Sequence, residues 1–487
     1  MARVRAFGTL AKGVRKLSVF APVASAARTA YGAAASVMAR ALGDVPGVDG
    51  VYLLGSLTRP EFVQPGKSDI DLVVAARLPT LEAELEVRER LHRIHRCVHA
   101  LIPLFNNLDY FDVDDLDCIR RFANAWTLDL DVRWKCVAGT NRLASPYARP
   151  RPERRVELCA MALKRWMKAG TRLLAAGPAD DQVFLRGIAE RLLMDTLAAY
   201  LDGERLTRLE WLVETASASL PLASLRDVVP PSRREPERLL LATLEVLEAL
   251  ARETTADWND AWKCSGTSAP LEPRPEIART AQRFVEAGFS GVVGVRRGSE
   301  PSDAVFFAAA PPEWTAARAL AVTREVQRRT PALPTAVSAW LSRPVLLTAP
   351  LLQAAALLSP SPFVGAELAA RPSFLAGAEP SPPKAPPAAV VRAILRTRVA
   401  MSFIRRHVRT RWARPGWSSH FEYDVAGLCP ALSRAQDEER VPLSWSRAPL
   451  VGERALVAAQ RAFVIERKGV LARDSNDAPA LRPEPGA

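Results

Sequence analysis

Apolar residues recur at helical spacing through residues 24–43, with Tyr31, Met38 and Leu42 among them, and predict a first helix. The run GVYLLGS at 50–56 predicts a short buried strand ending in a Gly-Ser turn. A second strand, SDIDLVVAA at 68–76, alternates with period two. This places Asp69 and Asp71 on one face and Ile70 and Leu72 on the other. From Thr80 to about Ile102 the period returns to the helical one, with Leu81, Leu85, Leu91, Ile94, Val98 and Leu101 on one stripe. NLDYFDV at 107–113 predicts a third strand. TLDLDVRWKCV at 127–137 predicts a fourth, with Leu128, Leu130, Val132 and Trp134 on one face.

Pro146, Pro150 and Pro152 mark a boundary. Beyond it, 154–176, 182–201 and 236–258 predict long amphipathic helices packed as a bundle, broken in the middle by Pro230 and Pro231. Residues 267–275 read as a linker. Strand-like runs (SGVVGV, DAVFFAAA, RPVLLTA) mixed with helical segments then predict a small α/β module. A second linker, 373–387, contains five prolines, and a basic helix is expected at 389–409. The polar, proline-containing tail from about 470 reads as disordered. No internal repeat is evident.

Composition narrows the class without naming a function. The 487 residues are 48% hydrophobic and 24% charged, which suits folded domains with real cores and excludes a fibrous or fully disordered chain. The net charge is +13, carried mostly by Arg. A GC-rich coding bias toward Arg, Ala and Pro accounts for that as well as a polyanion partner does, although phosphate-rich ligands remain compatible. Six cysteines without a C-x-x-C pair fit neither a zinc module nor a disulfide framework, and imply a reducing compartment, the cytoplasm. Membrane association is not expected: the longest apolar stretch, 345–364, is cut by Pro350, Pro360 and Pro362. Near the N-terminus, basic residues precede an apolar run at 17–27. Pro22 splits that run and Arg28 follows it, so a helix is expected there rather than a secretory signal.

The chemistry concentrates in LLGSLTRPEFVQPGKSDIDLVV, residues 53–74. A strand ending in Gly55-Ser56 allows close backbone approach and adds a hydroxyl donor for a phosphate oxygen. Asp69 and Asp71, two apart at the start of the next strand, form a chelating pair for hard divalent cations. A phosphate-binding turn beside such a pair implies a metal–nucleotide site and displacement at phosphorus. Asp109, 38 residues beyond Asp71, begins a strand. Asp112 falls on the opposite face by alternation. Asp129 and Asp131 read as a solvated outer face.

This stretch resembles the nucleotidyltransferase superfamily that includes DNA polymerase β, the poly(A)- and CCA-adding enzymes and the antibiotic nucleotidyltransferases. The likeness rests on Gly55, Ser56, Ser68, Asp69, Ile70, Asp71 and Leu72, and on Arg59 four positions after the glycine. Pro60 stands where the family commonly has glycine, which stiffens the loop but removes no metal ligand. The resemblance implies an α/β (α+β) nucleotidyltransferase domain with a mixed sheet at 24–145. A helical domain at 152–262, a small α/β module at 276–372 and a basic helical C-terminal region at 388–470 would follow. It implies transfer of a nucleoside monophosphate from a nucleoside triphosphate, ATP, to an acceptor hydroxyl. Asp69, Asp71 and Asp109 would hold two Mg²⁺ ions, Gly55 and Ser56 the β,γ-phosphates, and Arg59 would neutralise charge. A small-molecule or protein acceptor is favoured. An RNA- or DNA-directed enzyme and a non-catalytic regulatory protein on the same fold are the alternatives, and the Arg-Arg-Asp element usual after the D-x-D of CCA-adding enzymes is missing.

Weaker signals stay open. His92, His95 and His99 share a helical face that could bind a transition metal, or simply border the apolar stripe. Residues 389–415 carry eight Arg and no Asp or Glu, which suits either a polyanion or a solvated face. Glu190, Asp195, Asp202 and Glu204 form an acidic strip that could favour a cationic small-molecule acceptor or simply be solvated. Trp166, Trp211, Trp258 and Trp262 are expected to pack helices.

Overall fold

The computed structural model describes residues 21–58, 70–101, 105–113, 134–143, 151–177, 180–201, 209–258, 260–261, 275–296, 304–330, 343–354, 373–378, 384–385 and 406–407. It is an α+β protein with mixed sheets. The chain divides into two compact units: Met1–Arg149 with Val399–Ser418 and Arg447–Ala487, and Pro150–Arg398 with Ser419–Ser446. Among the described residues, no helix is long and apolar enough to cross a membrane.

The first unit opens with α1 (Ala21–Gly43), an alanine-rich helix. Its buried stripe is Tyr31, Ala35, Met38, Ala39 and Leu42. Gly47, at φ +90°, turns the chain into β1 (Val48–Leu54). A 3₁₀ turn at Gly55–Thr58 follows, then β2 (Ile70–Ala76), α2 (Leu81–Leu101), β3 (Phe105–Asp112) and β4 (Trp134–Gly139). Thr80 caps α2, its Oγ1 accepting from the Ala83 N–H at 3.1 Å. These strands lie in the order β3-β2-β1-β4, with β2/β3 parallel and β1/β2 and β1/β4 antiparallel, and the short edge strand Arg406–His407 beside β3 makes the sheet five-stranded. The helices cover one face. There Met38, Leu42, Val87 and Leu91 pack on Ile70, Leu72, Val74, Leu108 and Tyr110. The opposite face carries a smaller apolar layer of Tyr52, Val73, Phe111, Trp134 and Leu143.

The predicted elements of this unit are present, with shifted ends. β1 starts two residues before the expected 50 and stops at Leu54, so Gly55 and Ser56 begin the turn rather than end the strand. The fourth strand runs to Gly139, and the expected strand residues 127–133 lie outside the described residues.

In the second unit, α3 (Arg151–Arg165) passes into a π-helical turn at Trp166–Gly170 and one further turn at Thr171–Ala175. Only glycine fits at 170, because an added Cβ would lie 2.6 Å from the Trp166 ring. Next come α4 (Gln182–Tyr200), α5 (Leu209–Ser219) and α6 (Pro236–Thr255). The bundle core includes Leu158, Leu163, Leu193, Leu197, Leu244 and Leu247. Trp166 and Trp258 are buried as expected, whereas Trp211 is 40% exposed on α5 and does not serve as core. Trp262 lies outside the described residues.

α7 (Pro275–Glu286), β5 (Gly291–Arg296), β6 (Ala304–Ala309), α8 (Ala316–Arg329), β7 (Val345–Leu347) and β8 (Ser373–Gly377) complete this unit. The helices and this sheet lie in one compact unit. Trp166 Nε1 donates to the Leu346 carbonyl at 3.1 Å, and Arg324 on α8 pairs with Glu237 on α6.

Three expectations need correction. Residues 373–377 are a strand paired with Gly291–Gly294, not linker, so the sheet extends past residue 372. The prolines of that segment begin only at Pro380, and Leu375 packs on Ile277 and Phe306. Within the expected basic helix at 389–409, Arg406–His407 is extended and pairs antiparallel with Tyr110 and Asp109 of β3; its other residues, and the tail, lie outside the described residues. Finally, the chain does contain a repeat at the level of topology. The second sheet, ordered β7-β6-β5-β8, has the same strand order and senses as the β3-β2-β1-β4 part of the first.

Candidate functional site

The β1/β2 hairpin pairs Leu54 with Asp71, and the Gly55–Thr58 turn leaves β1 immediately after Leu54. Gly55 and Ser56 therefore lie at the end of the sheet where β2 begins. Every residue of β2 is buried except Asp71, which is half-buried. Asp69 and Arg59 lie outside the described residues.

The β2/β3 register decides which carboxylates share a face. Asp71 is opposite Asn107, Val73 opposite Asp109, and Ala75 opposite Phe111. Register partners in a parallel pair project to the same side. Asp71 and Asp109 thus lie on the face of Tyr52, Val73 and Trp134, away from the helices. Asp112 is opposite Ala76, on the helix-covered face, as strand alternation requires. Asp109 is only 1% exposed.

A register shift between Ile70 and Asp71 sets this phase. Ile70 pairs with Phe105 and Asp71 with Asn107, leaving Asn106 as an extra residue. Without it, Asp109 would fall opposite Val74 and face the helices, because a one-residue slip reverses every side chain. Asn107, which stands in register with Asp71, carries no sequence signal that singles it out.

Around the carboxylates the face is aromatic and apolar. Trp134 lies 6.0 Å from both Tyr52 and Phe111, ring centroid to ring centroid. The Tyr52 hydroxyl donates to the Thr140 carbonyl at 3.0 Å and accepts from the Arg142 N–H at 2.9 Å. Burial raises its pKa and that of the neighbouring Cys136 thiol. At the far end of β1, Arg142 clamps Asp49 with two bonds of 2.5 and 2.9 Å, and Arg77 adds a third at 3.3 Å. The hydrogen bond from Arg142, which outweighs the cost of burial, holds the Asp49 carboxyl below its ordinary value. On the helix side, the Tyr110 hydroxyl donates to Glu84 at 3.1 Å and accepts from Arg88 at 3.4 Å. This buried polar trio anchors α2 behind β3.

The other candidate residues take structural partners. His95 and His99 stack at 5.6 Å, and His99 Nδ1 lies 2.6 Å from the Phe105 carbonyl oxygen. Among the described residues, no three His, Cys, Asp or Glu side chains gather into a metal-holding group. The acidic strip is internally neutralised where it is described. Asp195 pairs with Arg165, and Glu190 with Arg186 and Arg234. Burial raises the Glu190 pKa. Asp202 and Glu204 lie outside the described residues.

Compared with known proteins, the chain matches no family model, no curated protein and no solved structure.

Proposed function

We propose that the first unit is a nucleotidyltransferase domain that moves a nucleoside monophosphate, AMP from ATP, to an acceptor hydroxyl. One observation carries this reading: Asp71 and Asp109 share the face of adjacent strands turned away from the helices, and Asp71 pairs with Leu54, where the Gly55–Ser56 turn leaves β1. Carboxylate oxygens on one face are the donor set that Mg²⁺ takes. Asp69, Asp71 and Asp109 would hold the ions. When bound, Mg²⁺ supplies charge stabilisation to the attacking and leaving oxygens of an in-line displacement.

The chain's own groups do the rest. Backbone N–H groups of the Gly55–Ser56 turn, with the Ser56 hydroxyl, bind the β,γ-phosphates, and Arg59 offsets their charge. A carboxylate oxygen of Asp109 receives the proton of the acceptor hydroxyl. The acceptor oxygen forms a bond to the α-phosphorus as the bond to the bridging oxygen breaks, and pyrophosphate leaves. The buried aromatic layer beside the carboxylates lowers the local dielectric and strengthens these interactions.

The acceptor is a small molecule or a protein hydroxyl. The arginine-rich stretch is remote in sequence, and Arg is abundant throughout the chain. The test is incubation with labelled ATP, Mg²⁺ and cell extract. Magnesium-dependent pyrophosphate release with label entering a small-molecule or protein fraction is expected. No such release would overturn the reading. Label in nucleic acid, with affinity falling about one log unit per log unit of salt for each neutralised phosphate, would replace the acceptor class.

A further inference from the structure

The β3-β2-β1-β4 part of the five-stranded sheet and the four-stranded sheet agree well beyond strand order. Each begins with a helix and a left-handed glycine: α1 and Gly47 (φ +90°) before β1, α7 and Gly288 (φ +98°) before β5. Each carries a helix between its second and third strands, capped by a threonine. Thr80 Oγ1 accepts from Ala83 N at 3.1 Å, and Thr315 Oγ1 from Arg318 N at 3.3 Å.

The closest agreement lies between the first and fourth strands. Gly50 faces Gly139 and Gly291 faces Gly377. Gly139 and Gly377 both have positive φ, +71° and +89°. An added Cβ would lie 2.3 Å from the Asp49 carbonyl oxygen at Gly139 and 2.4 Å from that of Ser290 at Gly377. The residue after each donates to that same carbonyl, Thr140 at 2.7 Å and Ala378 at 2.6 Å. Both pairings slip register one residue after the facing glycine, at Val51/Tyr52 and at Val292/Val293. Generic packing does not require a glycine pair, a slip and a backbone bond to coincide twice.

Aligning the copies by register shows what differs. Gly50 pairs with Ala75 and Gly291 with Ala309, so Asp71 corresponds to Val305. Val73 pairs with Asp109 and Phe307 with Val345, so Asp109 corresponds to the fully buried Val345. Counting on from the facing glycines, Gly55-Ser56 corresponds to Arg296-Arg297. Of the three carboxylate positions only the first remains acidic in sequence, as Asp303. One carboxylate cannot chelate a hard cation against valine neighbours. In this copy β7, the strand corresponding to the Asp109 strand, instead accepts the Trp166 indole N–H at the Leu346 carbonyl.

We propose that residues 275–378 are a second, metal-free copy of the fold formed by residues 21–143, so that each chain holds two such cores but one divalent-cation–nucleotide site. This copy scaffolds the helical bundle instead of binding a nucleotide through metal. The proposal rests on the nucleotidyl-transfer reading for the site it retains. The test is calorimetric titration of the full chain with α,β-methylene-ATP, with and without Mn²⁺, for wild type, Asp71→Asn and Asp109→Asn. Circular dichroism confirms that each variant is folded. One Mn²⁺-dependent nucleotide site per chain, weakened at least tenfold in either variant, is expected. Two such sites, or one that survives undiminished in both variants, would overturn the metal-free assignment. No Mn²⁺-dependent site in wild type would instead sink the nucleotidyl-transfer reading, and with it the single retained site.

Discussion

Asp109 stands two residues beyond the register partner of Asp71 on the adjacent parallel strand, and the two carboxylates share one face of the sheet. Asp112, three residues further along β3, is turned to the helix-covered face. Asp71→Asn and Asp109→Asn should therefore each abolish nucleotidyl transfer while leaving the circular dichroism spectrum intact. A metal ligand contributes several kcal/mol to the transition state. At about 1.4 kcal/mol per tenfold, that is a loss of more than ~100-fold in kcat. Asp112→Ala should stay within about threefold of wild type. Pyrophosphate release under saturating ATP checks both statements, and an inactive Asp112→Ala would place the third carboxylate wrongly.

Gly139→Ala and Gly377→Ala should be destabilising to a similar degree. Each would force a side chain into left-handed backbone at about 1–2 kcal/mol. Each would also drive a Cβ into a carbonyl oxygen held by its own hydrogen bond. Gly32→Ala is the control: Gly32 sits on the exposed side of α1 with nothing within 4 Å of an added Cβ, and should gain roughly 0.5–1 kcal/mol from helix propensity. Urea denaturation of the three variants measures these signs, and a neutral Gly139→Ala would contradict the backbone assignment.

The Asp49–Arg142 clamp makes stability depend on acid pH. The folded-state pKa of Asp49 is depressed, first by the hydrogen bond from Arg142. Its contribution is therefore present above the ordinary carboxylate pKa and is lost as pH falls through the folded value. Arg142 is 34% exposed, so solvent screening reduces the pair to about 1 kcal/mol. Asp49→Asn should lower Tm at pH 7 and flatten the acid limb of the stability profile. A wild-type acid limb in the variant would show that Asp49 does not titrate in this way.

Three described cysteines differ sharply in exposure. Cys97 is exposed on α2, whereas Cys159 is buried in α3 with its thiol pushed up to about 12 by burial. Alkylation requires access to the sulfur, so exposed Cys97 should alkylate within minutes and buried Cys159 only on unfolding. Cys136, half-buried with a raised pKa, should fall between them. Mass-spectrometric mapping of iodoacetamide adducts over time reads all three, and early labelling of Cys159 would show that the α3 core opens.

Local pattern by itself determined the helices at 21–43, 81–101, 182–200 and 236–255 and the phase of β2, because helical and strand periods differ and Asp71 interrupts an otherwise apolar run. It also separated Asp109 from Asp112 by alternation. It did not reveal that Asn106 is an extra residue, and that bulge is what turns Asp109 toward Asp71; a slip between strands is a property of the pair and leaves no mark in either strand alone. Residues 373–377 were hidden for a similar reason: a short edge strand beside prolines is legible only through the partner it pairs with. Nor did local pattern show that Arg165 and Arg234, distant in sequence, stand against Asp195 and Glu190 of the acidic strip. The second copy of the fold was invisible to sequence comparison along the chain because its matching positions are backbone features, a facing glycine pair and a register slip. The side chains that would have announced it have become valine and arginine. Tertiary structure alone decides such matches, since backbone geometry constrains only glycine strictly and leaves every other position free to change.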